Sequence, residues 1–138
     1  MLPESSLSPV PVDLAVRATR LMRELREAVS SPGARDWQSP AEIDRTLATL
    51  TQLSAHLAGV LDQGSLWLEL ADKRHLLRDD RGRTTARTMS RALGELSRAV
   101  DESRSLSARL DEACQHTTHL TVAGTTGPAA TASKEDPR

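Results

Sequence analysis

From Thr85 to His116 the chain places Met89, Leu93, Leu96, Val100, Ser103, Leu106, Leu110 and Ala113 at helical spacing, with arginines and carboxylates between them and no proline. Such a run is one amphipathic helix. At 1.5 Å per residue it reaches roughly 48 Å, too long for a compact small domain unless other helices lie along it.

Two further apolar stripes supply those helices. In the first, Leu14, Ala18, Leu21, Leu25 and Ala28 repeat at spacings of four and three, with Met22 and Val29 widening the stripe. Asp13 falls in its first turn, where a carboxylate favours the positive end of the helix dipole. Ser30-Ser31-Pro32-Gly33 is a stop. The second begins at Ser39-Pro40-Ala41-Glu42, a serine cap, a proline at the first helical position and a glutamate placed to complete a capping box. Ile43, Leu47, Leu50, Leu57 and Leu61 form its inner stripe, and Leu66, Leu70 and Leu77 lie on a rotated line beyond Gly64. A phase jump at a glycine predicts a turn or kink there, and so a separate third helix from about Leu66 to Arg78. The polar Asp79 to Thr84 stretch then leads into the long helix, capped by Thr84 or Thr85.

The expected fold is therefore all-α, an antiparallel bundle of four helices with one long C-terminal helix. Leucine dominates the apolar set, and there is neither Phe nor Tyr, which favours helix over strand. Residues 12–118 are expected to form the folded domain, with a flexible segment over 1–11 and a disordered tail over 119–138. The tail composition buries too little apolar area to offset ordering. Spacings along the long helix slip near Ser103, which opposes a strict parallel coiled coil. Truncating Leu50, Leu57 or Leu96 should be costly, because each lies at the centre of a stripe. A core nearly free of aromatics gains from stacking two copies.

A formal charge of −1 opposes a wholesale polyanion binder. A lone cysteine forms no intramolecular disulfide. No basic start with an apolar stretch reads as a signal peptide, and no run is long enough to cross a membrane; the expected location is cytoplasmic. Sixteen arginines against two lysines point to a GC-rich bacterial genome.

Cys114, His116 and His119 resemble a metal set only on paper, because positions two apart on a helix point about 200° away from each other. Asp72-x-x-His75 occurs once and lacks the second motif and the glutamates of a di-metal bundle. No nucleophile has a supporting motif and no glycine-rich phosphate loop exists, so neither catalysis nor a cofactor is expected. Arg91 to Val100 invites comparison with a helix-turn-helix, but the stripe through Leu93, Leu96 and Val100 opposes a turn at Gly94.

Two surfaces stand as candidates. Lys73, Arg74, Arg78, Arg81, Arg83, Arg87 and Arg91 are concentrated around one junction, where they would bind an anion or an acidic partner. Trp37, Leu106 and Leu110 are candidate interface residues, the last two for an isologous dimer, and Trp67 is a core or interface anchor. The expected role is a small non-enzymatic interaction or scaffold protein that self-associates or holds a protein partner. The alternative is a regulatory nucleic-acid-associated module acting through the 73–91 region, with a bundle metal protein or enzyme behind it.

Overall fold

The computed structural model describes residues 10–30, 39–82 and 84–121. Three helices account for nearly all of them: α1 (Pro11–Ser30), α2 (Pro40–Lys73) and α3 (Thr85–Thr117), with no strand among the described residues. The all-α expectation holds. The count of four does not, because α2 runs without interruption through Gly64. The candidate residues Trp37 and Arg83, and most of both expected tails, lie outside the described residues.

The helices fall into two compact units, one carrying α1 and the other α2 with α3. In the first, the Val10 carbonyl accepts from the backbone N–H groups of Asp13 and Leu14 at 3.0 and 3.3 Å and starts the helix. Proline at the first helical position costs nothing, since its missing N–H would have no helical partner. No α1 residue is buried; Leu14, Leu21, Met22 and Val29 are all exposed.

In the second unit, α2 starts as its sequence dictates. Ser39 is the cap, in extended backbone, and its Oγ accepts from the Glu42 N–H at 3.4 Å, with Pro40 following. The helix ends in a paired-bond turn. Leu76 N–H donates to Ala71 O at 3.0 Å, His75 N–H donates to Asp72 O at 2.8 Å, and His75 itself takes φ 56°. This is the left-handed closure in which glycine is the usual residue. Histidine occupies it here, so the stop lies eleven positions beyond the glycine that resembled one. Gly64 is tolerated inside the helix at a cost of about 1 kcal/mol relative to alanine.

Helices α2 and α3 pack antiparallel. Thr117 Oγ1 donates to the Asp44 carboxylate at 2.7 Å, Ser107 Oγ donates to the Thr51 carbonyl at 3.1 Å, and Arg104 pairs with Asp62 at 2.7 Å. The partner numbers rise on one helix as they fall on the other. On α2 the covered line is Asp44, Leu47, Thr51, Ser54, Ala58, Leu61, Ser65, Leu68 and Asp72. On α3 it is Met89, Leu93, Leu96, Val100, Ser103, Ser107, Leu110, Cys114 and Thr117. Every residue of both lines is buried or half-buried.

Both lines alternate spacings of three and four without a break, the 3.5-residue repeat of a coiled-coil seam. The expected slip near Ser103 is therefore absent: the repeat passes through Ser107, while Leu106 stays 49% exposed. The inner stripe expected on α2 is likewise one position off at its centre. Leu57 is 48% exposed, and Ala58 beside it is 3% exposed.

The seam is thin and partly polar. Ala58, Met89 and Val100 are its buried apolar residues, joined by Ser54 and Ser103, with Ala71 buried just beside the line. Hydroxyls of Thr51, Ser54 and Ser65 donate to carbonyls one turn back, those of Leu47, Leu50 and Leu61. Among the described residues no buried side-chain polar atom lacks a partner. These hydroxyls are thus satisfied within their own helix, and the backbones approach over small side chains.

Candidate functional site

The repeat gives the hairpin two unlike flanks. Asp62 and Arg104 each follow a seam residue, Leu61 and Ser103, and their ion pair marks one flank as polar. In an antiparallel pair, the residues that precede Thr51, Ala58, Val100 and Ser107 meet on the other flank. Those residues are Leu50, Leu57, Ala99 and Leu106. Leu53, Val60 and Trp67 continue this apolar flank outward on α2, all three exposed, Trp67 by 62%.

From Thr46 to Leu61 α2 carries no Asp, Glu, Lys or Arg. A solvent-facing helix ordinarily carries charge on its outer side; this one exposes Leu53, Leu57 and Val60 alongside Thr49, Gln52 and His56. Beside Trp67, an open hollow is walled by Gln63, Leu66, Glu69, Leu70 and Lys73. All of these side chains come from one helix, so the hollow is a groove between side chains. Small-molecule sites are concave clefts in which a few polar groups converge, and this groove has neither the enclosure nor the convergence.

The basic candidates follow the hairpin's connected end. Lys73 is the last residue of α2 and Arg74 caps it, Arg78 and Arg81 lie in the connection, and Arg87 and Arg91 lie in the first two turns of α3. All six are exposed. The connection is organised by a carboxylate: Asp79 accepts from the Arg81 N–H at 2.8 Å and from the Thr88 hydroxyl. Gly82, at φ 69°, supplies the left-handed residue that this turn requires.

Of the interface candidates, Leu106 lies on the apolar flank and Leu110 within the seam, half-buried. Helix α3 continues through Gly94 with no turn. Cys114 is half-buried, with its Sγ 3.8 Å from the Asp44 carbonyl, whereas His116 and His119 are exposed. Among the described residues no three His, Cys, Asp or Glu side chains gather where a metal ion would sit, and no helix is long and apolar enough to cross a membrane.

Of this flank, the sequence picks out Leu106 and Trp67 as interface candidates but places Leu50 and Leu57 on the inner stripe, where the smaller Ala58 is the buried residue. The available signal was the charge-free stretch of α2. Comparison with protein-family models, curated proteins and solved structures finds no match.

Proposed function

We propose that this chain is a non-enzymatic helical interaction protein that self-associates or holds a protein partner through the apolar flank of the α2–α3 hairpin. The observation that carries the reading is Trp67, 62% exposed on a continuous helix and in line with exposed Leu53, Leu57 and Val60. Tryptophan is enriched among the residues that dominate binding energy, and exposed apolar patches mark interaction surfaces. Two helices also cover only one side of each other. Helical proteins bury the remaining apolar stripe against a further layer.

A photo-crosslinking amino acid placed singly at Leu57, Val60 and Trp67, and at Ser97 on the polar flank, tests this in cells. Crosslinked protein adducts from the first three positions and none from Ser97 are expected. Equal yields from both flanks, or no adduct at all, would remove the reading.

The exposure of all six described basic side chains around the connected end favours a second reading, an anion or nucleic-acid contact there. It requires retention on DNA or RNA that weakens steeply with salt. Retention unchanged by neutralising Arg78, Arg81 and Arg87 sinks it.

A further inference from the structure

We infer that the connected end of the hairpin seats on an anionic bilayer surface, with Leu76 and Trp67 in the headgroup boundary and the basic residues around them resting on lipid phosphates. The inference builds on the anion contact read at that end and names the anion. It needs no spanning segment, because an interfacial element sinks only about 5–10 Å.

From Glu69 to Arg91 the sequence carries seven basic residues against four acidic ones, although the whole chain stands at −1. Two of the four acids are half-buried: Asp72 lies on the seam, and Asp79 accepts from the Arg81 N–H and the Thr88 hydroxyl. Among the described residues, none of the Lys73, Arg74, Arg78, Arg81, Arg87 and Arg91 side chains holds a carboxylate. Arg98 and Arg104, farther along α3, both do. The six are spread over all three segments that form this end, rather than lined along one helix.

Apolar side chains stand among these cations. Leu76, in the connection between Arg74 and Arg78, is 68% exposed, more than any other large apolar residue described. Leu70 and Trp67 are exposed on the last two turns of α2. Trp67, Leu70 and Arg74 follow one another at spacings of three and four, and so share a face. Arg87 and Arg91 occupy the first two turns of α3. The whole set lies within two turns, about 11 Å, of the hairpin's connected end, comparable with the depth that an interfacial element occupies.

This mixture selects the partner. Tryptophan is enriched where a bilayer meets water, and long basic side chains bury their stems while the charge stays at the phosphates. A nucleic-acid backbone would satisfy the arginines but offers nothing to an exposed leucine between them. An anionic bilayer satisfies both, and its negative surface potential acts on every cation near it.

The test floats the full chain with vesicles of equal parts phosphatidylcholine and phosphatidylglycerol, and with vesicles of phosphatidylcholine alone. Retention on the first only, weakening as salt rises, is expected. Changing Arg78, Arg81 and Arg87 together to glutamine should lower it about a hundredfold, at about fivefold per cation. Leu76→Ser should lower it about tenfold. Arg109→Gln, exposed near the far end of α3, should change nothing, and circular dichroism should show all three variants equally helical. With Trp37→Phe as background, Trp67 emission should move to shorter wavelength on the anionic vesicles. Equal retention on phosphatidylcholine alone, an unmoved Trp67 emission, or retention indifferent to Leu76→Ser overturns the proposal. Salt-sensitive retention on duplex DNA without retention on vesicles also overturns it and leaves the nucleic-acid reading intact; retention on neither removes both.

Discussion

The Ser107 hydroxyl donates to the backbone carbonyl of Thr51 at 3.1 Å, across 56 positions of sequence, and this bond lies at a level of the seam where leucine would be the ordinary occupant. Ser107→Ala should therefore cost about 0.5–1.5 kcal/mol, the usual net value of one hydrogen bond. The low end is expected, because the Thr51 carbonyl lies inside α2. Urea unfolding followed by circular dichroism measures it. A loss of several kcal/mol would mean that Ser107 organises far more than one bond.

Asp44 secures the open end of the hairpin. Its carboxylate accepts from the Thr117 and Thr118 hydroxyls at 2.7 and 3.2 Å. Asp44→Ala removes the acceptor that both hydroxyls share, each of which still reaches the Cys114 carbonyl, and should fray the last turn of α3 at a cost of about 0.5–1.5 kcal/mol. Amide exchange should speed up over residues 114–118 and remain unchanged around Val100. Uniform acceleration along α3 would contradict a local role.

Gly64→Ala, followed at high dilution, should raise stability by about 0.5–1 kcal/mol, the entropic difference between the two residues in a helix. No neighbour obstructs the added methyl. A fall in the thermal midpoint would show that α2 bends at this position after all.

His75→Gly should also stabilise the hairpin. An L-residue held left-handed costs about 1–2 kcal/mol, and glycine returns part of that through its freer unfolded chain, leaving a net gain of about 1 kcal/mol or less. A destabilised variant would show that the imidazole contributes more than its backbone conformation costs.

The sequence discloses this fold wherever the chemistry is local. Ser39 and Pro40 announce α2 because a cap needs only the neighbouring residues, and the proline-free run after Thr85 announces α3 to within a residue. The end of α2 is illegible because histidine in a left-handed turn has no compositional signature. The seam is only partly legible. On α3 the pattern selects Met89, Leu93, Leu96, Val100, Ser103 and Leu110, all in the seam, and departs from it at Leu106, where Ser107 takes the level. On α2 it selects Leu57 where Ala58 faces the neighbouring helix, because a reading by size prefers the larger of two adjacent residues. The basic run around the connection is plain in the sequence, and its six described residues follow one end of the hairpin.

The unbroken three-and-four alternation makes the hairpin a ruler. Seven residues inserted into each helix at one level would lengthen it by about two turns, roughly 10.5 Å, with every flank residue facing as before. An insertion of a single residue would rotate everything beyond it by about 100° and carry the seam line out of the contact. Length in this protein is thus free to vary in steps of one repeat, whereas phase is not.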